Sequence, residues 1–360
     1  MTIEEQVVKL RDESELQWTE IGDKLGLSRD AARRAYSRGK AGREALVGVK
    51  KGAMKVWSRR TNWPKLIEDV ADGVLADIRQ EASKRPSKPS KQTPAEGGYL
   101  LEISPVDLHV GKLSWAAETG SDYDIRIAEQ VFTDAIDEIL ERASRDPIES
   151  ILLVCGNDLL QTDNLAGTTT AGTFVDTDSR YVKSFRRARR LQSWAIRRCL
   201  EIAPVKVIVV PGNHDRLTAF HLGEVLEAEF AVVEGVEIDN SPTLRKYHRH
   251  GVNLLGFTHG SEERPADLPL IMAQECSKEW AETEWREFHV GHLHRAKETR
   301  YTAGDSFNGV RVRILPSLCA PDAWHSQMGY TSEKRACEAY LWHRERGYAG
   351  HLSANVRRVA

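Results

Sequence analysis

Val207-Ile208-Val209-Val210-Pro211-Gly212-Asn213-His214-Asp215 is the stretch on which the fold turns. A run of β-branched residues, the composition of a buried strand, stops at Pro-Gly and delivers three side chains that can bind a metal or move a proton. Four other stretches repeat the layout. Asp107-Leu108-His109 follows the apolar run that begins at Tyr99, and Gly156-Asn157-Asp158 follows Ile151-Leu152-Leu153-Val154-Cys155. Thr258-His259-Gly260 follows Val252 to Phe257, and Gly291-His292-Leu293-His294 follows Phe288-His289-Val290. One such run is an ordinary strand with a polar turn. Five in order, each ending in Asp, Asn or His, point to strand ends converging on one site.

Working outward, helices are expected over about 125–143, 181–202, 219–230 and 267–286, between strands at 99–107, 151–155 and 205–210. Further strand-like runs cover 243–257 and 310–315, and the tail reads as a β-hairpin of Ala336–Trp342 and His351–Val356 around Gly347. Strands alternating with helices predict an α/β domain over 99–360, two packed sheets flanked by helices. Before it, 83–98 reads as a linker, with three prolines and no apolar residue larger than alanine. Residues 61–82 read as an amphipathic helix, with Leu66, Ile67, Val70, Val74, Leu75 and Ile78 at helical spacing.

Residues 1–60 form a small all-α, basic unit. Leu16, Ile21, Leu25, Leu27 and Ala31 follow a helix-turn-helix rhythm, with Thr19 placed to cap one helix, Gly26 for the turn and Ser28 to cap the next. The second helix would present Arg29, Arg33 and Arg34, with Arg38 beyond, as a recognition helix does. Residues 29–60 hold eleven Lys or Arg against Asp30 and Glu44 alone, an excess suited to phosphates. A helical hairpin used for packing or dimerisation is the alternative. The unit resembles the helix-turn-helix modules of bacterial and phage DNA-binding proteins.

At 360 residues, 41% hydrophobic and 29% charged, the chain has the composition of a soluble globular protein, and its net charge of -2 gives no global pull towards nucleic acid. No apolar run reaches the length of a membrane span, and no signal-peptide core is evident near the start. Cys155, Cys199, Cys276, Cys319 and Cys337 are odd in number and scattered, which fits reduced thiols in a cytoplasmic protein.

His, Asp and Asn without cysteine suit hard or borderline divalent cations, Mn²⁺ first, with Fe²⁺, Zn²⁺ or Mg²⁺ as others. Asp107-x-His109, Gly156-x-Asp158, Gly212-Asn213-His214-Asp215, His259 and Gly291-His292-x-His294 resemble the motif series of the calcineurin-like metallophosphoesterases, and within them the SbcD-like repair exonucleases in phage and prophage forms. The resemblance implies a two-metal sandwich over residues 99 to about 300. It implies that Asp107, His109, Asp158 and His294 hold one ion, and that Asp158, Asn213, His259 and His292 hold the other, with Asp158 bridging. It makes His214 the acid and Asp215 the group that orients it. As partners it implies DNA, a homodimer, and an ATPase or a phage replication or recombination protein, with none at a membrane.

The chain departs from the pattern at Asn157, inserted between Gly156 and Asp158 and the fallback for the bridge, and at Gln161, where such nucleases carry His. Glutamine can donate a hydrogen bond to a phosphate but cannot transfer a proton. The polar run 162–173 is a candidate phosphate path or a surface loop, and Trp324-His325 a candidate pair facing the site. Arg186 and Arg187, in the basic start of the helix at 181, are candidates for nucleic-acid contact or a solvated face. Three functions stay open: a metal-dependent DNA nuclease, a phosphatase or pyrophosphatase on a smaller phosphoester, and a DNA-binding protein with a vestigial metal site.

Overall fold

The computed structural model describes residues 3–13, 16–37, 97–293, 306–307, 309–329 and 334–356. The chain divides into two compact units, Met1–Leu75 and Ala76–Ala360. Arg38, the remainder of the basic run to residue 60, the helix expected over 61–82 and residues 83–96 of the expected linker lie outside the described residues, as does His294.

In the first unit, α1 (Ile3–Glu13), α2 (Trp18–Leu25) and α3 (residues 29–37) enclose Val7, Ile21, Ala32 and Ala35, with Leu10, Leu16, Leu25 and Leu27 packed around them. Gly26 ends α2 at φ 65°, the left-handed conformation that glycine adopts without a Cβ clash. Ser28 Oγ accepts the Ala31 N–H at 3.2 Å, as its position predicts. Thr19 does not cap α2. The helix starts one residue before it, and Glu20 instead accepts the Gln17 N–H at 2.6 Å. Arg29, Arg33 and Arg34 are exposed while the neighbouring Ala32 and Ala35 are buried, so α3 turns an apolar stripe inward and a cationic one outward.

The second unit is mixed α/β, with two mixed sheets. The first has the order β11-β10-β1-β2-β3-β4, from β1 (Tyr99–Ser104), β2 (Ile148–Gly156), β3 (Val205–Val210), β4 (Val236–Asp239), β10 (Ala336–His343) and β11 (Gly347–Asn355). β1 to β4 run parallel, and the β10–β11 hairpin closes the sheet antiparallel to β1. The second has the order β5-β6-β7-β9-β8, from β5 (Lys246–His250), β6 (Asn253–Thr258), β7 (Trp285–Val290), β8 (Ser306–Phe307) and β9 (Val310–Ile314), with β6, β7 and β9 parallel.

Period-two alternation explains why the runs read as continuously apolar: both faces of the first sheet are covered. Ile151, Leu153, Cys155, Val207 and Val209 pack under α5 (Ile125–Ala143), α6 (Tyr181–Leu200) and α7 (Arg216–Phe230). Leu152, Val154, Ile208 and Val210 face the other way, into a layer shared with Leu255 and Phe257 of β6. Phe288, Val290 and Leu254 pack outward against α8 (Leu268–Glu275). The layers therefore run helix, sheet, sheet, helix.

α5 begins where Asp124 accepts the N–H groups of Arg126 and Ile127, both at 2.8 Å. Two short helices, α4 (Ala116–Thr119) and α10 (Ala323–Gln327), were not expected, and neither was the four-residue β4. The helix expected over 267–286 is α8 and α9 (Ser277–Ala281), broken at Cys276 with φ -123° and ψ 45°. The helix expected from 219 starts at Arg216, directly after Asp215. All five cysteines are buried free thiols. Among the described residues, no helix is long and apolar enough to cross a membrane.

Candidate metal centre

Parallel strands put their carboxyl ends at one edge, and that edge collects the motifs. Asp107 and His109 follow β1, Asn157 and Asp158 follow β2, and Asn213 to Asp215 follow β3; from the second sheet, His259 follows β6 and His292 follows β7. Main-chain bonds tie these turns together. Asp107 N donates to Asn157 O at 2.9 Å, His109 N to Asp158 O at 3.0 Å, and Cys319 N to Asp107 O at 3.0 Å.

Among the described residues, the non-glycine positions with positive φ are Asp107 (52°), His109 (49°), Asn157 (56°), Asp158 (59°) and His292 (64°). Each left-handed residue costs on the order of 1–3 kcal/mol. That the strain falls on these turns and on no other described non-glycine residue marks the convergence as a built feature. Two glycines let the turns close. A Cβ on Gly212 would lie 1.9 Å from Asp158 Oδ1, and one on Gly291 would lie 2.5 Å from Asn157 Oδ1.

His259 is the centre of the cluster. Its Nε2 lies 2.8 Å from Asn213 Oδ1, 3.0 Å from Asp158 Oδ2 and 3.1 Å from His292 Nδ1. One proton on Nε2 cannot serve three acceptors at once, whereas a cation among the four atoms can. On the other side of Asp158, His109 Nε2 lies 3.9 Å from Asp158 Oδ2 and 3.8 Å from Asp107 Oδ1. These spacings are too long for hydrogen bonds. Asp158, His259 and His292 form one group able to hold a metal ion, and His109, Asp158 and His214 form another. Asp158 belongs to both.

Electrostatics point the same way. Burial opposes charge on His259, yet Asp158, then Asp107 and Asp215, push it up to about 9. Burial likewise opposes charge on Asp158, but His259 and His214 hold it down at about 2. The pocket is built to keep positive charge beside that carboxylate. The donors are hard oxygens and imidazoles, so the residues present fit a divalent cation.

Asn157 is not the bridge. Its Oδ1 accepts the His259 Nδ1–H at 2.6 Å, which fixes the tautomer and turns Nε2 towards Asn213 and Asp158. The residue inserted between Gly156 and Asp158 thus orients His259, a candidate ligand.

Asp215 does not orient His214. It is fully buried and its two oxygens accept main-chain N–H groups, Leu160 at 3.0 Å and Gly212 at 3.1 Å; burial and then Asp158 push it up to about 8. It braces the turns after β2 and β3. The group that orients His214 is the Gln161 main-chain carbonyl, 2.9 Å from Nδ1. A carbonyl only accepts, so Nδ1 carries a hydrogen and Nε2 is the atom left to take or give a proton. The Gln161 side chain turns inward and donates to Asp176 O at 3.2 Å. It does not present its amide to a phosphate.

Within the run 162–173, Asp163 accepts the N–H groups of Leu217 (3.2 Å) and Thr218 (2.8 Å) at the start of α7, and Thr170 N donates to Asn213 O at 3.1 Å. The loop is pinned to the site. In α6, Arg187 pairs with Glu129 at 2.9 Å and Arg186 is half-buried, while Arg189 is fully buried on Glu229. Lys112, also buried, sits 3.1 Å from Asp322 and 3.3 Å from Cys319 Sγ. That pair ties the loop before α10, and with it Trp324 and His325, to the turn after β1. Compared with known families and curated proteins, the chain matches no family model and no curated sequence.

Proposed function

We propose that this chain is a two-metal phosphodiesterase acting on DNA, a nuclease of the calcineurin-like metallophosphoesterase type with a helix-turn-helix unit at its N-terminal side. One observation supports this most: Asn213 Oδ1, Asp158 Oδ2 and His292 Nδ1 all lie within 3.1 Å of His259 Nε2, with His109 and Asp107 across the same carboxylate. Asp107, His109, Asp158 and His294 would hold one ion and Asp158, Asn213, His259 and His292 the other, with Mn²⁺ as first choice. Bound there, divalent cations would supply positive charge against a phosphoryl group and acidify a water. His214 keeps Nε2 for the leaving oxygen because Nδ1 is engaged on Gln161 O.

Purified protein with Mn²⁺ and labelled linear DNA, beside a chromogenic diester and a monoester, tests this directly. Nucleotide release supports the nuclease. Monoester cleavage alone replaces it with the phosphatase or pyrophosphatase reading. Neither activity, with metal bound, leaves the vestigial site.

His214→Gln is expected to lower kcat about 10²–10⁴-fold, the range for a missing general acid, with metal content kept. Loss of metal in that variant would make His214 a ligand. Replacing Arg29, Arg33 and Arg34 by glutamine is expected to flatten the salt dependence of DNA binding by about 0.9 in log–log slope for each phosphate no longer neutralised. An unaltered slope removes α3 from the DNA.

A further inference from the structure

Large apolar side chains are exposed on the loops that lead away from the candidate ligand turns, where burial would be the ordinary outcome. Trp115 is 65% exposed, Phe174 79% and Trp324 58%. Their placement is set by pairing. Lys112 and Thr177 form an isolated antiparallel bridge, and Asp178 N donates to Gly111 O at 3.0 Å in the same register. Antiparallel chains pass one another, so Trp115, three residues after Lys112, and Phe174, three residues before Thr177, lie at the same end of that bridge. Trp324 joins them through α10. Ser326 Oγ donates to Glu118 O of α4, the helix that Trp115 opens, at 3.2 Å, and Asp322 pairs with Lys112. Both loops are rooted at the ligands, since Lys112 N donates to His109 O at 2.9 Å and Thr170 N to Asn213 O at 3.1 Å.

We infer that Trp115, Phe174 and Trp324 form a stacking rim for unpaired nucleobases, so that the strand entering the metal centre is single-stranded. The inference rests on the phosphodiesterase reading and names its substrate class. A phosphodiester held at the cations carries a base on each side within one nucleotide length, and aromatic faces stack on any base. A duplex keeps its base faces covered and offers these rings nothing. The pinning of the run 162–173 by Asp163 holds Phe174's loop in place before a strand arrives, so little ordering cost remains on binding.

The test uses the full chain in EDTA, where no hydrolysis can occur, and follows anisotropy of a labelled oligothymidine and of a duplex of equal length at elevated salt. In Trp115→Ala with Phe174→Ala, affinity for the single strand is expected to fall on the order of 10–100-fold with duplex affinity unchanged. The aromatic exchange Trp115→Phe with Phe174→Tyr is expected to restore it. Equal single-strand affinity in wild type and the alanine pair, or an equal fall for duplex, overturns the rim. Absence of single-strand binding in wild type does too. Because no turnover is measured, a failure here is separate from a failure of the phosphodiesterase reading, which a small diester lacking bases reports with Mn²⁺.

Discussion

Asp158→Ala is expected, on the proposed two-metal reading, to empty both positions at once and to abolish turnover of phosphoesters. The carboxylate stands between His259 Nε2, at 3.0 Å, and His109 Nε2, at 3.9 Å, and no other described side chain belongs to both groups able to hold an ion. Its second oxygen accepts the His214 N–H at 2.8 Å, so the turn after β3 loses an anchor as well. Asn157→Ala makes the comparison. It leaves every ligand atom in place and removes only the acceptor for His259 Nδ1, a change expected to cost about 10–100-fold in metal affinity. Metal content by mass spectrometry after dialysis, with calorimetric titration of Mn²⁺, reads both. Two ions retained in Asp158→Ala would refute the shared ligand.

The second large effect is on stability. Glu102 of β1 lies between the sheets, where it meets His289 Nδ1 of β7, accepts the Trp342 Nε1–H at 3.0 Å and the Ser104 hydroxyl at 2.7 Å. His289 Nε2 then pairs with Glu287 at 2.8 Å, and Arg313 closes on that carboxylate. Burial opposes charge on His289, but Glu102 and Glu287 push it up to about 9. Burial also opposes charge on Glu287, which His289 and Arg313 hold below the usual carboxylate range.

Glu102→Ala leaves the imidazolium half-compensated inside the layer and is expected to cost about 3–5 kcal/mol, a fall in Tm on the order of 10 °C for a domain of this size. The His289 contribution is complete below pH about 6.5 and fades as pH rises through about 9. The Glu287 contribution is complete above about 4.5 and fades as pH falls towards its lowered value. Denaturant midpoints across pH 5–10 should show wild type losing stability on the alkaline side and Glu102→Ala losing less. Parallel profiles would disprove the coupling.

The runs Ile151–Cys155 and Val205–Val210 were legible because both faces of the first sheet are covered, which leaves no polar alternation to confuse them. Where they stop was legible too, since Gly156 and Pro211-Gly212 break the pattern. Roles within the site were less so. The resemblance paired Asp215 with His214, but Asp215 accepts the backbone amides of Leu160 after β2 and Gly212 after β3. Asn157 read as an interruption because nothing local shows that it reaches His259, a hundred residues on. The basic run in α6 looked like one charged face, yet the 3.6-residue period carries Arg189 inward to Glu229, whose only trace in sequence lies forty residues on. Four-residue elements such as β4 and α4 carry too few residues for any period to register.

The β10–β11 hairpin has a consequence for how the molecule is made. β10 supplies Trp342 to Glu102 and is the antiparallel neighbour of β1, the strand that leads into Asp107 and His109. A nascent chain emerging from the ribosome carries β1, β2 and β3 long before residue 336, so β1 waits with one edge open and its buried carboxylate lacking its indole. The strand beneath the ligand turns is therefore braced only after translation has passed the hairpin, and a chain stalled short of it exposes a sticky strand edge in place of a finished sheet.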